Sequence, residues 1–159
     1  MAATACSGEG RMRRLIPPGT LGALLLGVVV AMSGCATMSG GVPSDIRRAL
    51  EQSDSAIGTG SLAFALYEGG DASSAVAATA LEDSLDELID AADQLARLSV
   101  DAADEGLMRA EALDAVKTGE DAVQHARSSV LGMTETDADA RTELERARAE
   151  VDALLEQLP

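Results

Sequence analysis

The chain has 159 residues, 27 Asp and Glu against 12 Lys and Arg, a formal net charge of −15 and an apolar content of 47%. That length holds one compact domain plus a targeting segment. The acidic balance offers no basic stripe for phosphate contacts and none for adhesion to anionic lipid, so nucleic acid is excluded as a partner. High charge with one Phe, one Tyr and no Trp can mark disorder, but the hydrophobic spacing is regular enough to predict folded helices.

Three arginines, Arg11, Arg13 and Arg14, lie near the start of the chain, followed by an apolar run from Leu21 to Met32. Basic residues and then a short greasy run are the layout of a secretory signal peptide. Pro17, Pro18 and Gly19 interrupt its early part, which leaves about a dozen uninterrupted apolar residues against the ~20 that a membrane-spanning helix needs. The first eleven residues, with Glu9 among them, fit poorly as a signal start, and "MRRLIPPG" from Met12 fits better; translation is expected to begin there.

The run ends in Met32-Ser33-Gly34-Cys35, followed by the linker-like "ATMSGGVPS". This stretch resembles the lipobox of bacterial lipoproteins, in which an aliphatic residue and two small residues precede an invariant cysteine. Met32 stands at the usual leucine position, and Ser33, Gly34 and Cys35 fit. The resemblance implies that a diacylglyceryl group is attached to the Cys35 thiol and that signal peptidase II cuts between Gly34 and Cys35. Residues 1–34 are then a signal peptide, and residues 35–43 are the lipidated cysteine and a tether. Eight residues from Ala36 to Pro43 reach at most about 30 Å, so the domain hangs close to the membrane. The mature chain would keep one acylated cysteine, hence no internal disulfide, and packing must supply the stability.

Residues 44–159 read as an all-α, alanine-rich antiparallel bundle of about four amphipathic helices, near 44–68, 73–98, 101–131 and 137–157. The first is predicted to start at Ser44 as N-cap, with Ile46, Leu50, Ser53, Ile57, Gly60, Phe64 and Tyr67 in steps of four and three, a heptad seam. Gly58 and Gly60 weaken helix propensity but admit a neighbouring backbone, and Glu68-Gly69-Gly70-Asp71 ends the helix. The second, from Ser73 or Ser74, carries Leu81, Leu85, Leu88, Ala92 and Leu95, with its carboxylates mostly on other faces. Ser99 or Asp101 is the expected cap of the third, whose seam is Leu107, Ala110, Leu113, Val116, Val123 and Val130, with Gly106 and Gly119 as points of bending or close packing. "LGMTETDAD" ends it, and the fourth carries Leu144, Val151, Leu154, Leu155 and Leu158. The competing arrangement joins the second and third helices into one longer coiled coil with a splayed fourth.

Little in the chain carries chemistry. His125 is the only histidine, with Asp121 four residues before it on the same helical face; a surface histidine paired with a carboxylate accounts for it. The paired Glu-x-x-His motifs of di-iron bundles do not occur, and no cofactor is expected. Asp137 and Asp139 begin like a calcium loop, but its sixth and twelfth positions hold Thr142 and Arg148 instead of Gly and Glu, and helix capping explains the aspartates. No nucleophile elbow is present, and "GTGSLAFALYEGG" lacks the lysine of a phosphate loop. Phe64 and Tyr67 lie on the seam as core.

The expectation is a non-catalytic interaction or scaffold module, lipid-anchored through Cys35 on the extracytoplasmic face of a bacterial membrane, with an envelope protein as partner. A second apolar stripe on a helix would mark the docking groove, and Leu62 and Leu66 are its candidates. The alternative is an envelope protein that binds a cation or small ligand through its acidic faces or a cavity in the bundle.

Overall fold

The computed structural model describes residues 41–133 and 137–158. They form four α-helices: α1 (Gly41–Glu68), α2 (Ser74–Arg97), α3 (Ala103–Val130) and α4 (Asp137–Gln157). At 1.5 Å per residue, α1 and α3, each of 28 residues, are about 42 Å long. Tight turns make sequential neighbours antiparallel, so the chain is an up-down four-helix bundle. The second and third helices are separate and antiparallel, which rules out the single long coiled coil.

The α1–α2 and α3–α4 turns lie at the same end of the bundle and are built alike. After α1, Gly70 takes φ +77°, its N–H donates to Tyr67 O and that of Asp71 to Leu66 O. After α3, Gly132 takes φ +70°, its N–H donates to Ser129 O and that of Met133 to Ser128 O. This double bond pattern needs a left-handed residue just past the helix, and glycine adopts it without strain. Ser73 caps α2 as expected, its hydroxyl accepting from Val76 N–H at 3.4 Å.

Two helix starts differ from expectation. α1 begins at Gly41, so residues 41–43 form its first turn instead of tether, and Ser44 Oγ donates to Gly41 O at 3.1 Å instead of capping. Pro43 fits there because a first-turn residue has no intrahelical use for an N–H. α3 starts after Ala102, and neither Ser99 nor Asp101 supplies a side-chain cap; Asp104 and Glu105 in its first turn complement the helix dipole instead.

The core is one cluster along the bundle axis. In α1, Ile46, Leu50, Ser53, Ile57, Gly60 and Phe64 are all buried and Tyr67 packs on their edge, as the seam predicts. In α2 the leucines 81, 88 and 95 are buried, but the residues fully buried between them are Ser84 and Ala91, while Leu85 and Ala92 are half-buried. In α3, Val116, Val123 and Val130 are buried together with alanines and Gly119. Leu107 and Ala110, expected on the seam, are exposed, and Leu113 is half-buried. Leu107 lies nine residues before Val116, two and a half turns, and so points the opposite way; the half-buried Met108 packs on the core in its place. In α4, Leu144 and Val151 are buried and Leu154 and Leu155 are half-buried against the core, as is Leu158 just past the helix.

The bundle is a rhombus in section. α1 meets α2, α3 and α4, whereas α2 and α4 do not meet among the described residues. The short α1–α3 diagonal follows from glycine and alanine. A Cβ on Gly119 would stand 2.8 Å from Ile57 Cδ1, and one on Gly60 would stand 3.4 Å from both Leu81 Cδ2 and Val123 Cγ2. Gly106, by contrast, faces nearly open space, with only Val100 Cγ2 at 3.9 Å. The buried serines of α1 and α2 are satisfied within their helices, Ser53 Oγ donating to Ala49 O at 2.8 Å and Ser84 Oγ to Ala80 O at 2.9 Å, so each fills a small site without leaving a polar atom unpaired.

Candidate functional site

The lipobox residues Met32, Ser33 and Gly34 and the acceptor Cys35 lie outside the described residues. What the bundle itself offers to another molecule is its surface.

Carboxylates are unevenly placed along the chain. From Ala49 to Ala96, across most of α1 and α2, there are ten Asp or Glu and not one Lys, Arg or His. Arginines of the other hairpin reach across to some of these acids. Arg148 Nε donates to Asp54 Oδ1 at 3.0 Å and Arg127 binds Glu82 at 3.2 Å; Arg141 holds Glu68 through Nε and a second guanidinium nitrogen. The Glu68 carboxylate beside it raises the Arg141 pKa further above its ordinary value. Asp93 is paired with Arg97 at 2.6 Å. Among the described residues no ion pair engages Asp83, Asp86, Glu87 or Asp90. A base-free stretch of 48 residues is visible in the sequence once charges are mapped by position instead of summed.

His125 is half-buried on α3, and its partner is not Asp121 of its own helix but Glu143 of α4, with Nδ1 2.7 Å from Oε2. A carboxylate only accepts, so Nδ1 carries the proton. The bond staples α3 to α4, and the described residues hold no second histidine and no cysteine. Glu120, on the same helix, has its carboxyl pKa raised, mainly by partial burial and secondarily by Asp121, with Lys117 opposing. Asp139 and Thr142 lie inside the continuous helix α4, where no calcium loop exists. Among the described residues no group of three or more His, Cys, Asp or Glu is placed to hold a metal ion, and no helix is long and apolar enough to cross a membrane.

Cavities are small. A cleft of about 240 Å³ between α1 and α4 lies beside Phe64 and Leu144, with the Glu68–Arg141 pair on its wall. A second, of about 120 Å³, sits near the opposite end among Ile46, Met108 and Leu158. Both fall below the ~300 Å³ typical of small-molecule sites.

The outer seam between α1 and α2 is different in kind. Ser55 and Thr59 of α1 face Asp83 and Glu87 of α2 across a shallow groove, and Gln52 Nε2 crosses it to Glu87 O at 3.2 Å. Steps of three and four carry the α1 row on through Leu62 and Leu66, and the α2 row back through Ala80 to Val76. An open shelf of Ala75, Val76, Thr79 and Ala80 adjoins the groove at Asp83. Leu62 is 61% exposed, Leu66 41% and Val76 63%. The second apolar stripe expected at Leu62 and Leu66 is therefore present on the surface, and Val76 extends it onto α2. Leu131 and Met133, also exposed, stand at the same end of the bundle.

Fold and surface thus define an all-α up-down four-helix bundle whose α1–α2 hairpin carries no base from Ala49 to Ala96. No protein-family pattern, no curated protein and no solved structure matches the chain.

Proposed function

We propose that the protein is a lipid-anchored, non-catalytic interaction module of a bacterial cell envelope, held by Cys35 on the extracytoplasmic face of the membrane and binding another envelope protein through its helical surface. The address is supported by Met32-Ser33-Gly34-Cys35 placed directly after a basic segment and an apolar run. The role is supported above all by the exposed stripe of Leu62, Leu66 and Val76, which a freestanding bundle has no packing reason to keep in water.

Crosslinking in intact native cells, with tagged wild type beside Cys35→Ser, tests this reading. One envelope protein should be captured by wild type and lost when the anchor is removed. Capture of nothing above background by either form would contradict it. A cation-binding role draws on the unpaired carboxylates of α2, and calorimetry with calcium decides it: no heat and no change in melting temperature would end that alternative.

A further inference from the structure

The geometry points to the outer α1–α2 groove as the docking site for one amphipathic, Lys- or Arg-bearing helix of the partner; this deepens the interaction-module reading and rests on it. The groove is graded along its length. Toward the turn end the α2 side is the shelf of Val76 and Ala80, and helical spacing continues the α1 row from Ser55 and Thr59 to the exposed Leu62 and Leu66. One to two turns further along, Asp83 and Glu87 stand exposed on the same α2 row, with no ion pair to engage them among the described residues. A helix laid between two antiparallel helices buries residues at i, i+3, i+4 and i+7 against both. Its apolar stripe would cover the leucines and Val76, and basic residues about two turns along it would meet Asp83 and Glu87.

Charge decides between occupants. A second copy of this chain pairing by the same groove would set one Ala49–Ala96 stretch against another, bringing the carboxylates of Asp83, Asp86, Glu87 and Asp90 against like charges. An anionic lipid surface is disfavoured for the same reason. A basic helix is attracted along the whole approach, which speeds encounter and fixes register. The neighbouring carboxylates Asp86 and Asp90 add to that field without lining the groove.

The test places a photo-crosslinking amino acid at Leu62, and separately at the exposed Ala149 on α4, in the full chain in native cells, and maps the adducts by mass spectrometry. The Leu62 adduct is expected to exceed the Ala149 adduct at least tenfold and to map to a partner segment with helical apolar spacing and net positive charge. Asp83→Lys with Glu87→Lys, both at exposed positions, should cut it at least tenfold with an unchanged circular dichroism melt. Reversing the partner's bases to Glu in that background should restore it. An adduct to a second copy, to lipid or to an acidic segment overturns the proposal, as does failure of the charge exchange. If only Ala149 captures a partner, the groove falls and the interaction reading survives; if neither site captures anything, the interaction reading falls with it.

Discussion

The two hairpins share a topology and the same glycine turn, yet they use their side chains differently. The α1–α2 hairpin brings the large core residues, Phe64 and the leucines 50, 81, 88 and 95, and displays only carboxylates over most of its length. The α3–α4 hairpin packs largely with Ala, Val and Gly and supplies the arginines at 127, 141 and 148 that reach across to Glu82, Glu68 and Asp54. A small-residue face on α3 allows the close α1–α3 diagonal, and its bulkier neighbours fill the space that remains. One hairpin is therefore a brace that sends three arginines across the seams, and the other is left acidic and apolar on its outside. The acidic hairpin thus fills the core with its inner face and leaves its outer face available.

Deleting bulk from the acidic hairpin should be the most damaging change. Leu88 is fully buried and reaches the space beside Gly119, so Leu88→Ala is expected to cost about 2–5 kcal/mol in denaturant unfolding, methylene loss plus cavity. Adding bulk to the brace comes next. Gly119→Val would drive a side chain into Ile57, whose Cδ1 already lies 2.8 Å from a Cβ built there; a loss of about 1–3 kcal/mol is expected. Gly106→Ala, on the same helix in open space, should instead be neutral or gain up to about 1 kcal/mol from helix propensity. Equal losses at positions 106 and 119 would remove the close diagonal from the account.

Breaking one cross-hairpin ion pair should matter little. Arg148→Ala frees Asp54 at a half-exposed site, and a change below about 1 kcal/mol that shrinks in high salt is expected. The smallest effect is electrostatic and has a definite sign. Folding raises the Glu120 pKa above its ordinary 4.5, so the folded state prefers the proton. The ionised carboxylate opposes folding above the raised value, and that penalty is relieved as pH falls toward 4.5. Glu120→Gln should raise the melting temperature at pH 7, with the gain vanishing below pH 4.5; a gain that persists in acid would mean that charge is not its cause.

Much of the fold was legible because leucine spacing fixes a helix face. The α1 seam from Ile46 to Phe64 is buried position for position. α2 was half read. Leu81, Leu88 and Leu95 hold the correct stripe, but steps of three or four between them are equally helical, and apolarity favours Leu85 and Ala92. The structure takes Ser84 and Ala91, because small residues let α1 approach at Gly60, whose added Cβ would lie 3.6 Å from Ser84 Oγ. α3 misled for the opposite reason: Leu107 is its most hydrophobic early residue, but it is out of phase with the valines and 66% exposed. The partner of His125 was misassigned because Asp121 is local in sequence whereas Glu143 arrives only when α4 folds back. Of the docking surface, Leu62 and Leu66 could be read from one helix. Val76 joins them only through the antiparallel pairing of α1 and α2, which sequence periodicity does not register.

Every step from this bundle to a role in the envelope passes through Cys35, so its chemical state is the first thing to measure. Protein purified from the native membrane fraction should give an N-terminal peptide beginning at Cys35 with the mass of a diacylglyceryl adduct, and Cys35→Ser should leave an unprocessed or unlipidated chain. An N-terminal peptide starting elsewhere, or an unmodified Cys35 in a wild-type chain recovered free of membrane, would contradict the account.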